Sequence, residues 1–244
     1  MNRGIYAPAS GMINNERLLD IVSNNLANAS TTGFKGDGIY FKEALEQTMN
    51  ANGGQGEELG SMGVGPDFGT PYTNMQQGAA KMTGQSTDTM IVGNEGMFAV
   101  QTPDGVQYTR DGSFTINSDG VLVNQSGYPV LDSTYHQIDV GQGAIDIGND
   151  GTVSVTMPGK TPDTVGQIAV FTGNFTKLGA NNWAGTNTQA SSTIQIQSGA
   201  LEGSNVNPIE EMVNLIRIGR TYELQQKAIS QQDELTQKLS TTMN

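Results

Sequence analysis

His136 is the one histidine of this 244-residue chain, so a Ser-His-Asp triad would have to use it. The motif G-x-S-x-G, which would present a serine nucleophile, does not occur in the sequence. There is no cysteine, which removes thiolate nucleophiles, thiolate metal sites and disulfides. We therefore predict that His136 lies on the surface or at a strand end, and that the chain is not an enzyme.

Three aspartates that precede glycines, Asp111, Asp119 and Asp150, are the candidates for a Ca²⁺ site. Their spacing is not that of an EF-hand loop, and Asp-Gly is explained by turns that need a positive φ. The segment GVGPDFG at 63–69 resembles a nucleotide-binding loop, but it lacks a preceding buried strand and a Lys-Ser/Thr ending. The sequence predicts no metal and no cofactor.

The net charge of −12 is distributed unevenly along the chain. Residues 36–200 carry five basic and sixteen acidic groups, whereas residues 1–35 carry three and two, and residues 201–244 carry four and six. No basic patch is present, which argues against nucleic-acid binding because phosphate contacts need clustered Lys and Arg. Near-neutral ends can associate with little self-repulsion, so this distribution suits contacts between like copies.

No apolar run is long enough to span a membrane, so we expect no membrane insertion. The first twenty residues contain Asn14, Asn15, Glu16 and Asp20 where a secretory signal peptide needs an unbroken apolar region. If the protein leaves the cytoplasm, we expect another route.

The first 35 residues have the pattern of a helix. Ile5, Met12, Leu19 and Leu26 recur every seven residues, and Val22 lies three positions after Leu19. Such a seam favours packing against another helix. The helix is expected to stop before Gly33, with Phe34 folding back onto it.

The last segment also predicts a helix, beginning at Asn207 as the N-cap with Pro208 in the first position. Its apolar stripe, together with that of the first helix, forms the predicted assembly interface. The members of that interface are Ile5, Met12, Leu19, Val22, Leu26, Leu215, Ile218, Tyr222, Ile229 and Leu239.

Between the helices, short alternating runs separated by four Asp-Gly pairs predict antiparallel hairpins over residues 88–200. Residues 36–87 are expected to form an extended, glycine-rich connection, with a mobile loop at 53–69. The predicted domains are thus 1–35 and 201–244 as an axial core, 36–87 as the connection and 88–200 as a β-rich body. The predicted fold class is α+β, with long N- and C-terminal helices that form a coiled-coil core and a mainly antiparallel β middle domain.

Three stretches resemble the axial proteins of the bacterial flagellum, the rod and hook family. SNNLANASTTGFK at 23–35 is similar to the N-terminal signature of that family, and the segment from Ser198 to Ile229 is similar to its C-terminal segment. The β stretch IVGNEGMFAVQTPDGVQYTR at 91–110 and its continuation also match. The signature residues are Asn24, Asn25, Leu26, Ala27, Asn28, Gly33, Phe34, Lys35, Ser204, Asn205 and Val206.

The resemblance implies a structural subunit of the flagellar basal-body rod that polymerises through its terminal helices as part of the motility drive shaft. It also implies export through the flagellar type III apparatus without a cleaved signal peptide, and placement in the periplasm-spanning rod. Its expected partners are copies of itself, other rod subunits and the export apparatus. The residues around Glu202 to Pro208 favour the proximal rod type, with the distal rod type as the alternative.

Two other interpretations remain open at the level of sequence. The helices could form an ordinary intramolecular pair packed on the β body. The chain could also be a β-rich carbohydrate-binding or enzymatic module with helical ends.

Overall fold

The computed structural model describes residues 3–39, 46–50, 58–63, 71–141, 143–157, 159, 161–191 and 193–242. The chain divides into two compact units. The first unit comprises Met1–Ala27, Asp37–Thr73 and Asn207–Asn244, and the second comprises Asn28–Gly36 and Asn74–Val206.

Two helices dominate the first unit, α1 over Arg3–Ala27 and α2 over Pro208–Thr242. The side chain of Asn207 accepts a hydrogen bond from the Ile209 amide at 3.1 Å, so the predicted N-cap is confirmed. Glu210 and Glu211 occupy the first turn of α2, where negative charge is favourable beside the helix N-terminus. Neither described helix combines the length and apolar character needed to cross a bilayer.

The predicted coiled-coil core is wrong. Polar side chains join the two helices: Asn15 donates to Gln225 at 2.9 Å, and Asn25 donates to Glu211 at 3.1 Å. Because the partner number falls as the α1 number rises, the helices run antiparallel. Among the described helical residues, Val22 is the one apolar side chain that is buried.

The physical reason lies in the density of the apolar pattern. A coiled coil needs apolar residues at both a and d of each heptad in both helices. In α1 the seven-residue repeat supplies one regular position, and asparagines such as Asn14 and Asn25 fill the buried places between. The stripe of α2 is interrupted by Gln225 and Gln232. The helices therefore meet through amides as much as through apolar side chains.

Two short antiparallel sheets complete the described part of the first unit. Strand β1 (Asp37–Ile39) pairs with β4 (Pro71–Thr73), and β2 (Glu46–Asn50) pairs with β3 (Glu58–Gly63). Residues 58–63 of the loop predicted at 53–69 thus form a strand, because backbone pairing does not require large side chains. The mobility of this segment stays a prediction. Residues 53–57 and 64–69 lie outside the described residues.

The second unit is built from antiparallel strands. Those in its first half are β5 (Ala80–Met82), β6 (Thr89–Ile91), β7 (Met97–Thr102), β8 (Gly105–Thr109), β9 (Phe114–Ile116) and β10 (Leu122–Asn124). Those in its second half are β11 (Ala144–Ile147), β12 (Thr152–Thr156), β13 (Asp163–Gln167), β14 (Val170–Gly179), β15 (Asn182–Ser191), β16 (Ile196–Ser198) and β17 (Ala200–Glu202).

Three of the four Asp-Gly pairs connect paired strands. They lie between β7 and β8, between β9 and β10, and between β11 and β12, which confirms these predicted hairpins. The fourth, Asp111-Gly112, joins β8 to β9, which belong to different sheets. There a Cβ on Gly112 would lie 1.8 Å from the Thr89 carbonyl oxygen, so glycine permits a close approach of two backbones.

Strands β14, β15, β8 and β7 close into a small barrel. Its strand β7 is buried on both faces: Phe98 and Val100 point into one apolar cluster, and Met97 and Ala99 point into another. The second cluster contains Trp183, the single tryptophan of the chain. Its burial makes its fluorescence a specific reporter of the second unit.

The β16–β6 and β17–β5 pairs bring the end of the second unit back to its beginning. They place Glu202, the last residue of β17, against the segment before β5.

Candidate functional site

Glu202 lies at the centre of a buried ion cluster in the second unit. One carboxylate oxygen is 2.6 Å from the Lys35 ammonium, and the other is 2.6 Å from Nε of Arg110. The three side chains are at most 1% exposed. Two cations thus share one carboxylate in the absence of bulk water, and the cluster carries an excess positive charge.

Backbone carbonyl groups help to stabilise that excess charge. The Arg110 guanidinium donates to the carbonyls of Gly93, Glu95 and Gly96. The Lys35 ammonium donates to the Gln76 carbonyl at 2.8 Å. The oxygen ends of these dipoles face the cations, which satisfies their remaining N–H groups.

Burial lowers the pKa of the Lys35 ammonium, because the charged form loses its hydration. The hydrogen bond to Glu202 and its negative charge act in the opposite direction, and the nearby charge of Arg110 adds to the lowering. The Glu202 carboxylate is within 2.6 Å of a nitrogen of each cation. The cluster therefore depends on the Glu202 carboxylate.

Three chain segments meet around this cluster, and we call the assembly of residues 33–36, 74–79 and 202–205 the terminal junction. The Gly33 amide donates to the Glu202 carbonyl at 2.8 Å, and the Gly78 amide donates to the Glu202 carboxylate at 3.0 Å. The Asn205 side chain accepts from the Gly36 amide and donates to the Asn74 carbonyl. The two signature segments, far apart in sequence, are thereby held together.

Two glycines are required by the close packing of the junction. Gly33 has a φ of +65°, and a Cβ there would lie 2.5 Å from the Arg110 carbonyl carbon. A Cβ on Gly78 would lie 2.0 Å from the Gly203 carbonyl oxygen. The sequence predicted Gly33 as a helix stop, but α1 ends at Ala27, so its left-handed conformation serves the junction instead.

The tip of the β14–β15 hairpin covers the first segment of the junction. Lys177 donates to the Lys35 carbonyl at 2.8 Å and lies 4.3 Å from the ring centroid of Phe34. Asn181 donates to the Thr32 carbonyl at 2.8 Å. Phe34 is therefore buried beneath this hairpin, and its predicted contact with α1 stays a prediction.

The earlier signature residues lie at the end of α1. Buried Asn25 accepts from the Asp37 amide at 3.0 Å and donates to the Asp37 carbonyl at 2.8 Å, which ties β1 to the helix. Asn24 is exposed, Leu26 is half-buried, and Ala27 ends the helix. After the helix, the Asn28 side chain accepts a hydrogen bond from the Thr31 hydroxyl at 3.2 Å. In the C-terminal signature segment, the Ser204 hydroxyl accepts a hydrogen bond from the Val206 amide at 3.3 Å.

The predicted assembly residues differ in exposure. Leu19 and Tyr222 are exposed, whereas Val22 is buried. The side chains of Ile5 and Leu239 lie outside the described part of the chain. The remaining members are half-buried: Met12, Leu26, Leu215, Ile218 and Ile229.

The residues considered for chemistry do not converge. His136 lies on an exposed turn, where its Nδ1 is 2.8 Å from the Thr134 hydroxyl. Asp150 accepts from Thr152 within its own turn, and Asp111 accepts from Ser113 and from the Thr32 hydroxyl, so both carboxylates have hydrogen-bond partners within the fold. The side-chain hydrogen bond from Thr152 lowers the pKa of Asp150. In the ranges that the structure describes, no three His, Cys, Asp or Glu side chains are grouped to hold a metal ion.

A groove of about 1020 Å³ in the second unit is lined by polar and apolar residues, most of them at 167–170, 190–191 and 193–198. Asp150 is the one ionisable side chain among its lining residues, so the groove has no acid–base pair.

Sequence reasoning missed Arg110, Glu202 and Lys177 as members of a site. Arg110 and Lys177 belong to the five basic residues of the acidic stretch 36–200, and Glu202 follows two apolar residues in a strand. A cation in a stretch that contains few basic residues is a weak signal of a buried ion pair. No pattern in the sequence identified Glu202 as the acid that pairs with Arg110.

The architecture of the chain thus combines antiparallel strands, two long helices and an ion cluster that joins distant chain segments. Three family models match parts of the chain: "Flagella basal body rod protein" at residues 5–35, "Flagellar hook protein FlgE/F/G D1 domain" at 90–155 and "Flagellar basal body rod FlgEFG protein C-terminal" at 197–242.

Curated relatives match over nearly the whole chain. The flagellar basal-body rod protein FlgG of Buchnera aphidicola subsp. Schizaphis graminum is 36% identical, over 91% of this chain and 92% of that protein. FlgG of Bacillus subtilis is 34% identical over 98% of both. FlgF of Caulobacter vibrioides is 35% identical over 97% of this chain and 96% of that protein.

This chain belongs to the family of flagellar basal-body rod proteins. It is a structural component of the flagellar basal body, and the predicted family resemblance is confirmed. Its family is one of structural proteins and not of enzymes.

Substitution of Gly33 by alanine tests the packing of the terminal junction. Gly33→Ala adds a Cβ that collides with the Arg110 backbone, in addition to the cost of a left-handed residue. Gly84 is a matched control, because its φ is +73° and a Cβ there meets no atom within 4 Å. We expect Gly33→Ala to lower the free energy of unfolding by about 1–3 kcal/mol more than Gly84→Ala.

The free energy of unfolding is measured in denaturant from the fluorescence of Trp183. Equal losses in the two variants would show that the junction tolerates a side chain at Gly33.

Proposed function

We propose that this chain is a rod subunit that binds its neighbours through exposed apolar side chains on its terminal helices and catalyses nothing. The observation that carries the proposal is the apolar surface of α2. Ile209 is 70% exposed, Ile216 is 55% exposed and Leu224 is 66% exposed. Soluble proteins seldom leave such a surface on a helix unless a partner covers it.

These side chains form a stripe on one side of α2. Ile209, Val213 and Ile216 are spaced by four and three residues, which places them on one helical face. Full burial of one such side chain by a neighbouring subunit contributes about 1.5–3 kcal/mol to the hydrophobic free energy of association. The face is large enough for several such contacts per subunit.

Residues of α1 extend the proposed interface. Ile13 is 51% exposed and Leu19 is 36% exposed. Leu19 and Tyr222 belong to the interface predicted from the sequence, and their exposure leaves them available to a neighbouring subunit. The half-buried members of that prediction are partly covered, and they lie on the same two helices as the exposed members.

The distribution of charge supports contacts between like helices. The terminal stretches 1–35 and 201–244 have net charges of +1 and −2, whereas residues 36–200 have −11. Copies that meet through their terminal helices therefore bring little like charge together. The partners proposed here are copies of this chain and other rod subunits.

Aspartate at position 216 tests the exposed face of α2. Ile216→Asp places a charge on the stripe, and we expect it to reduce incorporation into basal bodies at least about tenfold, because a buried unpaired charge opposes association. Gln226→Asp is the matched control, since it puts the same charge on an exposed position of the same helix. Incorporation is measured as the amount of each variant in purified basal bodies.

Unchanged Trp183 fluorescence in both variants shows that the second unit is folded. Normal incorporation of Ile216→Asp would show that the apolar face of α2 is not part of the interface.

Within the rod, we propose the proximal position, as for proteins of the FlgF type. In Caulobacter vibrioides the relative named FlgF is 35% identical to this chain and the relative named FlgG is 32% identical. A distal position, as for the FlgG type, is the second candidate, favoured by the 36% identity to FlgG of Buchnera.

Deletion of this gene in its source bacterium distinguishes the two positions. A rod that grows outward loses every subunit beyond the missing one. We therefore expect basal bodies from the deletion strain to lack the other, FlgG-type subunit as well, as measured by quantitative mass spectrometry. Retention of a FlgF-type subunit in those basal bodies would assign this chain to the distal position.

We further propose that the flagellar type III export apparatus delivers the subunit without removing a leader, and that the subunit lies in the periplasm-spanning part of the rod. Support comes from the polar residues near the N-terminus, such as Asn14 and Asn15, both of which lie within α1. A cleavable leader that included them would remove part of α1.

Mass spectrometry of the subunit from purified basal bodies tests the mode of export. We expect peptides that cover the start of α1, because the residues before Asn14 remain attached. Peptides that begin only within or beyond α1 would indicate a cleaved leader and contradict the proposal.

A further inference from the structure

The ion cluster joins positions that are widely separated along the chain. Glu202 is 92 residues from Arg110 and 167 residues from Lys35. Contacts that close long loops cost more chain entropy than local ones, and they tend to form after local hairpins. Arg110 belongs to the region of the β7–β8 hairpin, whose strands are joined by a two-residue turn.

The hairpins can therefore form before the acid is in place, but Arg110 is then an unpaired cation. Its carbonyl partners come from residues 91–96, immediately before the same hairpin, so they are local. They satisfy N–H groups but supply no formal negative charge. The Glu202 carboxylate is the group that makes burial of Arg110 and Lys35 favourable.

The same residue also completes backbone contacts on both sides. The Glu202 carbonyl accepts from Gly33, and β17 pairs with β5. When Glu202 binds in this position, residues 33–36 after α1 and residues 202–205 before α2 are joined to the rest of the second unit in one step.

We propose that the Lys35–Glu202–Arg110 cluster is a latch that closes last in the folding of the second unit, so that its compact state persists only when residues 33–36 and 202–205 are both seated. A chain with either segment held elsewhere keeps Arg110 and Lys35 without their shared carboxylate. Its second unit then opens rapidly. The second unit therefore stays folded only when neither residues 33–36 nor residues 202–205 are bound elsewhere.

Folding kinetics of the full chain test the latch. Glu202→Gln keeps the size of the side chain and removes its charge. A contact that forms after the transition state affects unfolding and not folding. We expect unfolding of Glu202→Gln to be at least about 100-fold faster, with a folding rate within about threefold of the unaltered chain.

Stopped-flow fluorescence of Trp183 reports both rates, because this side chain is buried beside Lys177, which in turn binds the Lys35 carbonyl. Glu234→Gln is the matched control. It removes the same charge from a pair with Lys238 at 3.4 Å, in which both side chains are about two-thirds exposed or more. We expect both of its rates to stay within about twofold, since exposed pairs contribute little.

Two results would overturn the proposal. If Glu202→Gln slows folding and leaves unfolding unchanged, the cluster forms early and is not a latch. If its unfolding is no faster than that of Glu234→Gln, the carboxylate does not hold the unit closed.

A second variant covers the case in which Glu202→Gln does not fold. Glu202→Asp keeps the charge but withdraws it by one methylene, so we expect faster unfolding at an unchanged folding rate, with a smaller effect than the loss of charge. A slower folding rate for Glu202→Asp would count against late closure in the same way.

Discussion

The second unit depends on one carboxylate that neutralises part of the charge of two buried cations. Glu202 contacts Lys35 on one side and Arg110 on the other, and all three are shielded from water. In such a place an unpaired cation costs several kcal/mol, so the three residues are stable there only together. These residues come from three distant parts of the chain. Each part is therefore stable in its folded position only when the other two are also in place.

The first unit is held differently. Its helices meet through side-chain amides, as in the Asn15–Gln225 pair, and through a few half-buried apolar residues. Such a contact leaves apolar residues such as Ile216 on the surface. A protein of the flagellar rod family assembles with other rod components, and the proposed interface is the apolar surface that the two helices leave exposed. The second unit thus contains a buried ion cluster, whereas the proposed interface of the first unit consists of exposed apolar side chains.

Local features could be predicted from the sequence because their causes are local. Asp104-Gly105 and Asp119-Gly120 lie between paired strands, as the preference of this dipeptide for positive φ predicts. Asn207 caps α2 because its side chain reaches the next turn without help from the rest of the fold. Family membership was also readable, since the signature segments are contiguous. The coiled-coil core was not predictable from one seven-residue spacing, because the identity of the residues between, many of them Asn and Gln, decides what two helices bury.

The sequence by itself therefore determined the family, three of the hairpin turns and the start of α2. The tertiary structure decided the roles of Gly33, Lys35 and Glu202. Gly33 and Lys35 were visible as parts of a signature, but nothing within the signature shows that the glycine packs on the Arg110 backbone or that the lysine shares a carboxylate with Arg110. The physical reason is distance along the chain: a turn or a cap is settled by residues within one turn of each other, whereas a buried charge is settled by whichever opposite charge the completed fold brings to it.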